Sequence, residues 1–227
     1  MNGVFCLLER ILLSLDVAYV DAAAKQSEDS MTPVIWLLGL SGSGKTTLGS
    51  LLRLFLQSQD YDAEFVDADR FRIQRGFHGF SREDRIQNID AMREYVLELH
   101  DQGKVCVVSA ITPYACMRQL NRECIPLYKE VWVRCGLETL IKRDTKGFYA
   151  RAAQGKIANF TGISDAFDEP VSADLIIDTD QHDLSDCYVA LRDLAWEALE
   201  EGERWTSYLS VLNGTFPEVR LVGASLL

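Results

Sequence analysis

Gly39-Leu40-Ser41-Gly42-Ser43-Gly44-Lys45-Thr46 fits the phosphate-binding pattern G-x-x-x-x-G-K-[ST] at every fixed position. Glycines at these positions let the backbone curl into a nest of N–H donors, and a helix beginning at the lysine points its positive end at the same place. The stretch predicts a nucleoside triphosphate in the site. Lys45 would reach the outer phosphates, and the Thr46 hydroxyl would join a Mg²⁺ shell. The flanks agree. Val34-Ile35-Trp36-Leu37-Leu38 reads as a buried strand, and Leu48, Leu51, Leu52 and Phe55 give Thr47 to Leu56 an apolar helical face. Strand, glycine loop and helix in this order predict an α/β fold of three layers, with a mostly parallel central sheet flanked by helices.

The rest of the chain divides around that unit. Residues 1 to 24 read as an amphipathic helix, followed by a polar linker through Ser30, so 1–30 is expected to be an N-terminal extension. The nucleotide domain is expected over 31–202 and a C-terminal extension over 203–227. The chain carries 34 acidic and 23 basic residues, a net charge of −11, which argues against a nucleic-acid partner. Its six cysteines lack a C-x-x-C pair and its three histidines sit apart, so no zinc site is visible and reduced, buried thiols are expected. The apolar run near the N-terminus is broken by Glu9 and Arg10, fitting neither a signal peptide nor a membrane span, and a cytoplasmic location is expected.

Downstream, Ala63-Glu64-Phe65-Val66 reads as a second strand, ending in Asp67-Ala68-Asp69. Carboxylates at a strand's C-terminal end sit where open α/β sheets build their sites, and in phosphoryl transfer they orient the attacking hydroxyl or hold the metal's waters. A plainer alternative makes Asp69 the cap of whatever follows. Arg70, Arg72, Arg75, Arg82 and Arg85 then concentrate positive charge in an acidic protein and ask for an anion, with Phe77 and Phe80 offering flat faces to a base. The plainer alternative is a solvated charged loop with an ordinary helix start at Ser81, since Ser81-Arg82-Glu83-Asp84 also fits a capping box, fixing a helix that presents Arg85 and Asn88. Val105 to Ala110, Glu130 to Arg134 and Ala173 to Thr179 read as further strands, and Leu184 to Glu201 as the closing helix. Thr145 to Pro170, rich in glycine and basic groups, suits a lid over the triphosphate or else a plain surface connection.

In order, W-L-x-G-L-S-G-S-G-K-T-T, D-x-D-x-x-R, G-F-S-x-x-D-R with Asn88-Ile89, A-I-x-P-Y, R-D-x-K-G-x-Y and F-T-G-I run from about Ile35 to Thr179. This series resembles the adenylylsulfate kinases, which transfer the ATP γ-phosphate to the ribose 3′-hydroxyl of adenosine 5′-phosphosulfate. The resemblance implies a P-loop kinase fold with a lid segment, ATP and Mg²⁺ as cofactors, and a homodimer. It implies that Gly39, Ser41, Gly42, Ser43, Gly44, Lys45, Thr46, Thr47 and Arg143 bind the nucleotide, with Thr46 at the metal. Lys45, Asp67 and Asp69 would be catalytic. Arg72, Arg85 and Asn88 would hold the phosphosulfate, Phe80 and Phe160 would sandwich the acceptor's adenine, and Asp69, Ile111 and Thr112 would complete that pocket.

Several positions depart from the family pattern. Ala68 stands for Gly, Arg70 for Asn, Thr112 for Ser, Ala115 for Arg, Thr145 for Pro and Ala158 for Lys, while Ser164 and Ala166 stand for Asp and Pro. Two cations are thus lost and one gained. The same pocket could be rebalanced, or retuned for another nucleotide-linked anion. A weakly catalytic nucleotide-binding regulator is a further alternative, opposed by the retention of both aspartates and of Arg72, Arg85 and Asn88.

Overall fold

A computed structural model describes residues 31–215, apart from His78, Thr145, Lys146 and Ala158, with side chains through residue 211. The expected helix and linker over 1–30 lie outside the described residues, as do residues 216–227 of the expected C-terminal extension.

The core strand is β1, Val34–Leu38, whose residues are all fully buried. An apolar run without polar alternation is what a strand covered on both faces requires. β2 (Ala63–Asp67), β3 (Val105–Ser109), β4 (Tyr128–Arg134) and β5 (Leu175–Asp178) complete a five-stranded sheet in the order β2-β3-β1-β4-β5, every pair parallel. The parallel sheet matches the expected class.

Alternate residues of β1 serve two cores. Val34, Trp36 and Leu38 face one side, with Ile89, Met92, Val96 and Leu99 of α3 (Arg82–Asp101) and Met117 of α4 (Ala115–Cys124) packed over them. Ile35 and Leu37 face the other, under Leu48, Leu52 and Leu56 of α1 (Lys45–Ser58) and Leu191, Ala195 and Leu199 of α7 (Leu184–Thr215). Three layers result. Because β1 lies between β3 and β4, chain reversal occurs beside its C-terminal end, which is where a doubly wound sheet opens a crevice.

Four local features differ from the sequence expectations. The arginine-rich stretch after β2 is a helix, α2 (Ala68–Arg75), ended by Gly76 at φ 72°. Its N-cap is Asp67, not Asp69: the Asp67 carboxylate accepts from the amides of Asp69 and Arg70, and Asp69 lies in the first turn. Between α5 (Leu137–Arg143) and β5, the expected lid contains α6 (Phe148–Ala153) and a Thr161–Asp165 bridge. α7 continues through the expected boundary at 202 and on to Thr215 without a break.

Candidate active site

The loop after β1 has the backbone its glycines permit. Gly39, Gly42 and Gly44 take φ values of 141°, 81° and 107°, and a Cβ on Gly39 would stand 2.3 Å from the Val133 carbonyl oxygen. Only glycine fits there. Gly44 is the N-cap of α1 and has no side chain to satisfy the first amides, which leaves that helix end to an anion. Lys45 Nζ donates to the Leu40 carbonyl at 2.8 Å, arching back over the nest.

Thr46, the second residue of α1, donates from Oγ1 to Asp67 Oδ2 at 2.9 Å. Asp67 closes β2 opposite Ser109 in the sheet register, and Ser109 Oγ lies 3.5 Å from Thr46 Oγ1. Three oxygen-bearing side chains from three elements therefore meet at one point. Ser109 escaped the sequence reading; its position follows from strand pairing. Among the described residues no cluster of three or more His, Cys, Asp or Glu side chains could hold a metal. A Thr46–Asp67 oxygen pair fits Mg²⁺, which arrives with phosphates and keeps most of its waters.

The rim of the loop is built by later segments. Tyr149 of α6 donates its hydroxyl to the Ser41 carbonyl at 2.8 Å. Thr179 donates to the Ser43 carbonyl at 3.2 Å, and Arg143 donates to the Thr179 hydroxyl and carbonyl at 3.2 and 2.8 Å. Arg143 thus reaches the loop through Thr179, which sequence reasoning had placed only at a strand end. Leu40, Cys135, Leu140, Tyr149 and Phe160 form a small apolar cluster that anchors this rim. Thr47 stays exposed beside Thr46.

The expected anion pocket centres on Arg85. Its capping box forms as read: the Asp84 amide bonds Ser81 Oγ, and the Asp84 carboxylate accepts from the Ser81 amide. Hydrogen bonds from Ser81 hold the Asp84 carboxyl below the usual carboxylate range. One turn on, Arg85 is buried, donating Nε to the Phe80 carbonyl at 3.3 Å and Nη2 to the Asn159 carbonyl, with Nε 3.4 Å from Asp165. Burial pulls its pKa down and Asp165 opposes that. A single guanidinium therefore ties the start of α3 to the segment carrying Phe160.

Around it, Arg72 donates to the Gly79 carbonyl at 2.9 Å and stacks 4.1 Å over the exposed Phe80 ring. Phe160 meets Tyr149 edge-on at 5.0 Å. Each aromatic of the expected sandwich thus has a protein partner on one face or edge. Asn88 is buried; its Nδ2 lies 3.7 Å from Met92 Sδ and its Oδ1 has no partner. Thr112 spends its hydroxyl on Trp36 Nε1 at 2.8 Å, while the Ile111 carbonyl accepts from Gly39 N at 3.4 Å. Arg70 and Asp69 are exposed on α2. Asp165, missed at the sequence level, also accepts from the Tyr114 hydroxyl at 2.8 Å. Chemically, the arrangement offers a triphosphate cradle, an oxygen pair for its metal, and buried donors for a second anion alongside.

Residues 31–178 match the family model described as adenylylsulphate kinase. The adenylyl-sulfate kinase of Chloroflexus aurantiacus is 43% identical over 156 residues, covering 68% of this chain and 83% of its own. That of Paraburkholderia xenovorans is 41% identical over 152 residues, covering 65% and 84%. Among solved structures, the Mycobacterium tuberculosis APS kinase in complex with AMPPNP and APS is 30% identical. It superposes with a TM-score of 0.66 over 75% of this chain and 97% of its own.

Proposed function

The chain belongs to the adenylylsulphate kinase family, and from that membership we propose that it phosphorylates the ribose 3′-hydroxyl of adenosine 5′-phosphosulfate at the expense of ATP. The observation that carries the reading is the buried Arg85, held in this structure by carbonyls and a carboxylate that a ligand anion can replace, in a domain that also carries a phosphate loop. A buried cation with exchangeable acceptors is suited to a doubly charged phosphosulfate.

In this reading the loop amides and Lys45 stabilise charge on the β,γ phosphates as the bridging bond loosens. Thr46 with Asp67 would hold a Mg²⁺ arriving with ATP, which would supply neutralising charge to the phosphates. Asp69, exposed in the first turn of α2 beside Asp67, is the residue to orient the acceptor hydroxyl and take its proton. Arg72, Arg85 and Asn88 bind the phosphosulfate, Phe80 and Phe160 the adenine, Arg143 belongs to the nucleotide side through Thr179, and Tyr149 secures the segment that shields the site from water. Family membership supports a homodimer, which small-angle scattering of the purified chain tests. No described helix is long and apolar enough to cross a membrane.

The test is ADP release with Mg·ATP, with and without adenosine 5′-phosphosulfate, and identification of the product by mass. Acceptor-dependent ADP and a 3′-phosphorylated product are expected. Bound ATP with no stimulation would transfer the reading to another nucleotide-linked anion, with Arg70→Asn the first reversion to make.

A further inference from the structure

The turn Ile111-Thr112-Pro113 is held from beneath by polar groups that no transfer step uses. Thr112 sits at φ 46°, a left-handed conformation unfavourable to a β-branched residue, and such geometry persists only where surroundings over-determine it. Two clamps do so. Trp36 Nε1 holds the Thr112 hydroxyl, and Arg118 Nη1 donates to the Thr112 carbonyl at 3.2 Å and reaches that of Pro113 at 3.5 Å. Arg118 is buried, and its Nε lies 3.8 Å from Oε1 of the equally buried Glu130. Trp36 and Glu130 are register partners on β1 and β4, so one clamp and the counter-charge of the other stand on one rung of the sheet, while Arg118 itself comes from α4.

Above the rung, the turn and the tyrosine that follows it link the phosphate loop to the segment facing Arg85. Ile111 accepts from Gly39 of the phosphate loop, Pro113 accepts from Asp168 N at 2.8 Å, and Tyr114 donates to Asp165, which faces Arg85. Burial raises the Glu130 carboxyl, and the guanidinium groups of Arg118 and Arg122 oppose that rise. Breaking such a pair leaves a buried charge uncompensated, so the network has little freedom to drift.

We infer that Arg118, counter-charged by Glu130, is a positioning residue for the acceptor side of the reaction, acting through the Thr112 turn. The inference rests on the kinase reading above. A planar guanidinium can serve two carbonyls and a carboxylate at once, whereas an ammonium cannot keep all three directions.

The experiment uses the full chain with Mg·ATP and adenosine 5′-phosphosulfate varied separately, for the parent, Arg118→Met, Arg118→Lys and Glu130→Gln. Arg118→Met is expected to raise KM for the acceptor about tenfold and KM for ATP much less, since the turn meets the phosphate loop through one hydrogen bond of 3.4 Å. Arg118→Lys should recover part of the loss. A folded Arg118→Met with both KM values unaltered, or with only the active fraction reduced, overturns the inference. If Arg118→Met does not fold, the nearly isosteric Glu130→Gln decides by the same criterion. A parent chain that releases no ADP with this acceptor overturns the kinase reading itself, before any variant is measured, and the two failures are thereby told apart.

Discussion

Lys45 Nζ is drawn inward to the Leu40 carbonyl across the nest it is meant to serve. An outer phosphate is a stronger acceptor than a carbonyl, so the same rotation brings the charge onto ATP. Lys45→Ala should lower the transfer rate by about 10²–10³, the range seen when one charge-stabilising donor is removed. Its melting temperature should stay near the parent's, and parallel rate and melting measurements check both halves. Away from the site, His100 carries a different prediction. Its Nε2 is buried without a partner, and burial lowers its pKa despite Asp101 3.7 Å from Nδ1. The folded state therefore prefers neutral imidazole. That contribution is intact above the ordinary histidine value near 6.5 and is lost as pH falls from there toward the lowered folded value. Melting between pH 7.5 and 5 should accordingly decline less steeply in His100→Gln than in the parent. At this scale the sequence was most legible where chemistry and backbone requirement share one short stretch, as from Gly39 to Thr46. Ser109, Thr179 and Asp165 were illegible because their roles arise from pairing across 136 residues or fewer of intervening chain, as when Thr179 reaches the Ser43 carbonyl.

Elements show the same division for a different physical cause. β1, α1 and α3 announce themselves by burial pattern and caps, and the Ser81–Asp84 box is present as its four residues require. α2 and α4 do not, because most of their residues face solvent: Phe71 is the one hydrophobic side chain that α2 buries, and α4 buries Arg118 and Asn121 beside Met117. Their helicity depends on Asp67 at one cap and on tertiary polar contacts, which an apolar period cannot reveal. The α3 cap gives a prediction that joins element to function. Ser81→Ala removes the hydroxyl that caps the Asp84 amide, at a cost of about 1 kcal/mol. Because Arg85 lies in the next turn and is aimed by that end of the helix, acceptor KM should rise several-fold while ATP KM moves little. A pair of substrate titrations with a melting curve tests it, and an unchanged acceptor KM would show that Arg85 is aimed by its other contacts alone.

Across the whole molecule, the C-terminal half of α7 packs on the domain. The expected boundary at 202 went with the lack of a clear apolar period from Trp205 onward, in a segment expected to pack on the domain or on a partner subunit; period is a poor guide where a helix touches single partners. Gly202 is one such contact: a Cβ there would lie 2.1 Å from the Met31 carbonyl oxygen. Thr206 accepts from the Met31 amide at 2.9 Å, Glu203 accepts from the Tyr61 hydroxyl at 3.1 Å, and Leu209 is buried. The segment therefore pins the lead into β1, the strand that carries the phosphate loop. Ending the chain after residue 202 removes the contacts of Glu203, Thr206 and Leu209. Loss of the buried Leu209 side chain alone costs about 2 kcal/mol, a fall of roughly 4–8 °C in melting temperature for a domain of this size. Gly202→Ala should produce a smaller fall by forcing the Met31 backbone away, without deleting anything. ATP affinity should survive both changes, because no described contact of the loop comes from beyond residue 202. Calorimetric melting and ATP titration of the two variants test the claim together: a truncated chain that melts with the parent would return residues 203–215 to the status of an appendage.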